Sequence, residues 1–302
     1  MVSNNYSYQF VDWSHGPLGT EPFEHIGTLS THLITPTITL GLSDYINISY
    51  TQAIGVRSMG WKLLDVSLHH REENSSESFD NALASLFGDG TLSIKYLLTN
   101  TGAHSGTRIF IGSGLVIPGK SVLTADPFKR NTEGEYLPHR HFSLSDGCYK
   151  TNFEVQYYIK TKPKSVFMPT FYGITFNYLI PLKESDYGYL PGNAYSGIAS
   201  LLFPTKFKNN WSPKGLSLGF IYMKTESSFW NGTESPNSEA EMYLPAMGLI
   251  WNHKKYGSFS LNMRYNQNEA IPEDANDNKS TAFELSIGYR KTLDYSIPWL
   301  YF

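Results

Sequence analysis

The sequence predicts an all-β protein: a single antiparallel transmembrane β-barrel of about twelve strands, spanning residues 1–302, with short turns at one end and long loops at the other. Three observations predict it. Apolar and polar side chains alternate with period two. The connections between alternating segments are themselves alternately short and long. The composition is rich in aromatic residues (15%) and poor in charged ones (17%).

The alternation is cleanest in Asn152–Lys160, where Phe153, Val155, Tyr157 and Ile159 share one face and Asn152, Glu154, Gln156 and Lys160 the other. Successive side chains of a strand point to opposite faces, so this pattern marks a strand between two unlike environments. Phe283, Leu285, Ile287 and Tyr289 repeat it, as do Phe259, Leu261, Met263 and Tyr265, then Ile46, Ile48 and Tyr50, and Leu216, Leu218, Phe220 and Tyr222. Rougher versions cover 29–42, 91–98, 107–117, 167–180, 195–203 and 243–252. Each is long enough for the roughly 9–11 residues of a tilted membrane strand. The best helical candidate, 79–87, is short and lies in a loop.

Connections at Ser43-Asp44, 100–106, 161–165 and 253–257 are short, and 204–214 is moderate. Those at 58–90, 118–148, 181–194, 224–241 and 268–280 are long. Outer-membrane barrels have short periplasmic turns, longer outer loops and an even strand number. The eleven segments therefore require a twelfth strand. Tyr6–Trp13 is the candidate, closing the ring against 281–292. Tyr295–Phe302 is the alternative final strand, but Pro298 cannot donate to a ladder in a central position.

A net charge of -3 excludes the basic balance of a nucleic-acid-binding protein. The one cysteine, Cys148, excludes a disulfide framework within the chain. Met1–Tyr6 lacks the basic and apolar regions of a signal peptide, so export to a bacterial outer membrane implies a signal already removed. A soluble sandwich with a Tyr-rich surface shares the composition but has no reason to lengthen every second connection.

The polar face of a membrane barrel points to its lumen. That face carries Arg57, Lys95, Arg108, Glu154, Lys160, Arg264, Glu284 and Arg290, which are six basic residues and two acidic. Twelve strands lie between the filled eight-stranded barrel and the open sixteen-stranded one. The expectation is a passive channel for small, anionic or aromatic solutes, with the 118–148 loop narrowing the outer mouth. The alternative is a plugged interior held by ion pairs, with Tyr136, Tyr187, Tyr189 and Tyr195 in the outer loops offering a platform for a surface protein partner. Partners expected in either case are the lipid bilayer and, for the channel, the small solute.

His139 and His141 could share a face and hold a metal, whereas the adjacent His69 and His70 point apart. No other cofactor is expected. His141, Ser143 and Asp146 are close enough in sequence to suggest a membrane hydrolase. No Gly-x-Ser-x-Gly elbow accompanies them, and an enzyme is not expected.

Thr35–Asp44 followed by Tyr45-Ile46-Asn47-Ile48 resembles the first hairpin of the outer-membrane proteins grouped with the meta-pathway of phenol degradation. Gly88-Asp89-Gly90-Thr91-Leu92 and Gly112–Gly119 are similar to that family's next two strands, and the likeness covers about residues 28–160. The resemblance implies a barrel passing small or hydrophobic solutes and carries over no binding residue. An aromatic or aliphatic acid would reconcile that implication with a basic lumen.

Overall fold

The computed structural model describes residues 1–17, 21–64, 72–75, 86–102, 104–126, 129, 132, 143–162, 165–207, 209, 211–235, 238–269 and 279–293. The strands are β1 (Val2–His15), β2 (His25–Ile34), β3 (Thr37–Gly41), β4 (Ile46–Trp61), β5 (Glu73–Asn74), β6 (Phe87–Asn100), β7 (Gly106–Ile117), β8 (Lys150–Lys160) and β9 (Phe171–Pro181). They continue as β10 (Tyr189–Leu190), β11 (Ala194–Pro204), β12 (Gly215–Thr225), β13 (Phe229–Trp230), β14 (Thr233–Glu234), β15 (Ala240–His253), β16 (Gly257–Glu269) and β17 (Lys279–Lys291).

Antiparallel pairing runs through neighbouring strands and returns from β17 to β1, closing a 12-strand barrel. The closing seam pairs Val2 with Lys291 and continues to Ser14 with Lys279, the pairing expected for Tyr6–Trp13. The segment 29–42, expected as one strand, is two collinear pieces. Both β2 and β3 pair with β1 and β4, and they break at Thr35-Pro36. Pro36 has no N–H to give the ladder. Its carbonyl still accepts from Gln52 N at 3.1 Å, and Thr35 N donates to Asn5 O at 2.8 Å, which keeps the broken strand in register.

The burial pattern is inverted relative to a soluble protein. Phe153, Val155, Phe176, Phe220, Met247 and Ile287 are exposed on the outside of the wall. Cross-strand registers line them up, with Phe153 beside Tyr178, Val155 beside Phe176 and Leu218 beside Met247. Apolar side chains in a continuous exposed band need hydrocarbon around them. No helix among the described residues is long and apolar enough to cross a membrane, so any crossing is made by the strands. The 79–87 helical candidate falls outside the described residues except for Leu86, in a turn, and Phe87, in β6; Tyr295–Phe302 falls outside them altogether.

The periplasmic connections are 42–45, 101–105, 161–170, 205–214 and 254–256. The one expected to end at residue 165 runs on to 170 before β9 begins. Over the outer end, β10, β13 and β14 form a separate three-stranded sheet. Its turn places Asn231 (φ 49°) and Gly232 (φ 78°) in the left-handed region that two-residue hairpins require. Trp230 is buried beneath it, 5.0 Å from the Tyr189 ring.

Candidate functional site: the barrel interior and its outer mouth

The register decides which side chains meet inside. Lys95 and Glu154 both stand opposite Gly112, from β6 and β8 respectively. With no side chain between them, Lys95 Nζ reaches Glu154 Oε1 at 2.6 Å. Arg264 faces Glu284 across β16 and β17, with Nη1 3.5 Å from Oε1. Of the six expected basic groups, these two are therefore neutralised by the two expected acids. The excess of four counted in the sequence stands, but it falls on Arg57, Arg108, Lys160 and Arg290 at the two ends of the barrel, because sequence gives the signs of charges and not their pairing.

Arg108, Lys160 and Arg290 lie near the periplasmic end. Arg108 Nη2 donates to Gly102 O at 3.0 Å in the turn below it. Lys160 sits between Gly106 and Phe171, and Arg290 between Ser3 and Ser258.

Arg57 lies far from these, toward the outer end, paired across β4 and β2 with Thr31. Its Nε donates to Thr31 Oγ1 at 3.1 Å and its Nη1 to Ser143 O at 3.0 Å. Arg57 thus holds the base of the 118–149 connection against the wall. Around that base, Ser121 accepts from Leu144 N and Ser145 N at 3.2 and 2.9 Å through its backbone oxygen. Asp89 Oδ1 accepts from Gly119 N at 3.2 Å. Lys150 bonds Asp146 and lies 3.7 Å from Asp89. Ser121, Val122, Ser145 and Cys148 are all buried there.

This knot is absent from the sequence expectations. Gly88-Asp89-Gly90 signals a strand opening, and nothing local announces that Asp89 meets a lysine at 150. Cys148 lies in the knot with its thiol donating to Tyr189 O at 3.2 Å. Burial, the largest cause, and then the Asp146 carboxylate push that thiol up to about 11.

Toward the outer end the interior carries two apolar patches. On one side Trp13, His15, Phe23, His25 and Trp61 interlock, with His15 and His25 rings 4.6 Å apart and Phe23 and His25 5.1 Å apart. Glu21 Oε2 is 2.9 Å from His25 Nε2. Gly27, between Trp13 and Trp61 in register, makes room for the Trp13 ring. On the wall formed by β11, β12 and β15, Ile198, Ile221 and Leu244 line up in one row, and Met223 and Met242 in the next. Sequence reasoning missed this wall because it followed only the outward apolar set of each strand. The signal was there: Phe220-Ile221-Tyr222-Met223 is apolar on both faces.

His139 and His141 lie outside the described residues, and among the described residues no three His, Cys, Asp or Glu side chains gather as a metal site. Ser143 Oγ donates to Ser145 O at 2.6 Å, and Asp146 is engaged by Lys150.

No protein-family model matches the sequence, and no curated protein matches it. Among solved structures, an outer membrane channel from Pseudomonas putida F1 superposes with a TM-score of 0.56 at 13% identity, covering 95% of this chain and 94% of that one. More distant likenesses are to the NanC porin (TM-score 0.44, 7% identity, 96% of this chain and 100% of that one) and to the CymD monoaromatic hydrocarbon channel (0.43, 10%, 97% and 89%). The likeness to the Pseudomonas channel extends over nearly the whole of both chains, and with the closed ring and its apolar belt the fold is that of a β-barrel of the bacterial outer membrane.

Proposed function

We propose that the barrel is a passive outer-membrane channel for small amphipathic solutes, with the base of the 118–149 connection narrowing its outer mouth. The observation that carries this is the mixed lining of the interior. Toward the outer end it presents Ile198, Ile221, Leu244, Met223 and Met242 and the Trp13–Trp61 cluster, with the Arg264–Glu284 pair in the outer half of β16 and β17 beside them. Nearer the periplasmic end the Lys95–Glu154 pair is followed by the inward rings of Phe110, Tyr158 and Phe171. Apolar patches beside charged pairs accommodate a solute with an apolar body and a polar or acidic group. Arg108, Lys160 and Arg290 give the exit an anion-favouring field, because a ring of like charge sets the sign of the permeant ion. In this reading Arg57, Lys95, Arg108, Glu154, Arg264, Glu284 and Arg290 all border the path. The likeness of the first hairpin to barrels grouped with phenol degradation supports small or hydrophobic solutes, and an aromatic or aliphatic acid reconciles that with the basic exit.

The test is single-channel current in a planar bilayer under a salt gradient. Steady current with a reversal potential on the anion side supports the channel. A folded, inserted and silent barrel removes it and favours a second reading, a plugged barrel whose outer β10–β13–β14 sheet is a rigid platform for a surface protein. The left-handed Asn231-Gly232 turn and buried Trp230 support that platform.

A further inference from the structure

Charge is distributed unevenly around the periplasmic rim. Three consecutive connections, joining β8 to β9, β11 to β12 and β15 to β16, carry Lys162, Lys206, Lys214, Lys254 and Lys255 among the described residues. Lys291 follows on β17, beside the start of β16. No carboxylate among the described residues pairs with any of them. Lys214 Nζ instead donates to the carbonyls of Phe207 and Asn209, at 3.0 and 2.8 Å, which fixes its charge on the turn. The rest of the rim, the connections 42–45 and 101–105, has Asp44 and no lysine.

The same basic connections carry large exposed aromatic side chains. Phe167 is 87% exposed, Trp211 79% and Phe207 60%. They are continuous with the lipid-facing belt: Trp251, paired with outward-facing Phe259, donates its indole N–H to Trp211 O at 3.0 Å. Tyr256 packs on His253 at 4.5 Å with Lys255 Nζ 5.5 Å from its ring. Aromatic rings at headgroup depth beside lysines are the arrangement by which proteins hold a membrane interface. An acidic protein partner would need the lysines but not an aromatic row running into the apolar belt.

We infer that the periplasmic rim from β8 to β17 is a docking surface for anionic phospholipid headgroups of the inner leaflet. The lysines hold phosphates and Phe167, Phe207 and Trp211 seat among the glycerol and upper acyl segments. The β1–β7 arc holds zwitterionic lipid without preference. The attraction of a lysine to an anionic surface corresponds to about a 5-fold gain in partition per charge at low salt, and it weakens within a Debye length as salt rises.

The test titrates the detergent-purified barrel with phosphatidylglycerol or phosphatidylethanolamine of matched acyl chains and counts bound lipids by native mass spectrometry. The expected result is a preference for phosphatidylglycerol of roughly 10-fold or more, which falls by about 5-fold or more in the triple variant Lys206→Gln, Lys254→Gln, Lys255→Gln. The outer-side control Lys183→Gln, Lys224→Gln keeps the preference. Heat-modifiable migration on gels confirms that each variant is a folded barrel. Equal binding of the two lipids by the unmodified protein overturns the inference, as does a preference that the triple substitution leaves undiminished. Conductance is measured alongside and is expected to persist in the triple variant, so loss of the lipid preference and loss of the channel are read separately.

Discussion

Lys95 and Glu154 reach each other at 2.6 Å over Gly112, whose missing side chain leaves the space their pair occupies. Each is partly exposed to the interior, so the pair contributes little to stability, on the order of 0–1 kcal/mol. Its weight falls on the field in the lumen instead. Glu154→Gln leaves an unpaired ammonium there, worth about 1 kcal/mol to an ion passing at close range in water. The anion-to-cation permeability ratio is then expected to rise by up to ~5-fold, and Lys95→Gln to move it the other way. Reversal potentials under a salt gradient measure both; no movement in either variant would remove this pair from the solute path.

Arg57 ties the Thr31 hydroxyl on β2 to the Ser143 carbonyl of the outer connection. Arg57→Ala deletes both donors and releases that end of the knot. The expected outcome is larger conductance with more frequent spontaneous switching, read from single-channel traces. Asp89→Asn, which loosens the Lys150 contact at the other end, is expected to act in the same direction.

The two faces of β9 give a direct check on the membrane assignment. Phe176 is its central residue and faces outward; Asn177 faces inward, hydrogen-bonding Ser196 at 3.2 Å. Arginine on the lipid face at mid-depth costs about 2–4 kcal/mol. Phe176→Arg is expected to lower folding stability in lipid by that amount, whereas Asn177→Arg stays within about 1 kcal/mol because the lumen hydrates it. Denaturant titration in vesicles compares the two, and equal losses would contradict the assigned faces.

Cys148 is fully buried, and its thiol is raised from 9.0 to about 11. The proton is therefore held more tightly in the folded chain than in the unfolded one. Stability from this source is complete below pH 9 and is lost as pH climbs from there toward about 11. Cys148→Ser keeps a donor for Tyr189 O and has no such titration, so its stability is expected to decline less over that interval. At neutral pH maleimide should label Cys148 only after denaturation; rapid labelling of the folded barrel would argue against the burial described.

A methyl group at Gly27 would lie 2.2 Å from the Trp13 ring. Gly27→Ala must displace that indole and with it the packing against His15 and Trp61. A destabilisation of about 1–3 kcal/mol is expected, the usual penalty of overpacking. Trp fluorescence during urea titration follows both the displaced ring and the shifted midpoint.

Strand faces were legible in the sequence because alternation is a local property. Phe153 to Ile159 and Phe283 to Tyr289 declare their environments without knowledge of any partner. Barrel closure through Tyr6–Trp13 was legible too, from the requirement for an even strand number. Pairings across the ring were not. Asp89 with Lys150 and Lys95 with Glu154 depend on register between strands far apart in sequence, and register follows from turn geometry and packing. Ile198, Ile221 and Leu244 escaped notice for another reason. Where both faces of a strand are apolar, alternation weakens, and an inward apolar residue resembles noise in the outward pattern. The break at Thr35-Pro36 was announced by its proline, yet a strand broken at one peptide and still in register has nearly the same pattern as an unbroken one.

The seam between β1 and β17 joins residues almost 290 positions apart, Val2 with Lys291. Of the strands described, the first to emerge in synthesis is therefore satisfied on one side only by the last. Until Lys279–Lys291 arrives, β1 carries an open edge, and such an edge recruits any strand that meets it. Contacts this distant in sequence also form slowly, since a long loop must close first. Until the ring closes, Val2–His15 is also the edge along which a second, equally unfinished copy would pair, so closure through the last strand is what keeps one chain from joining another.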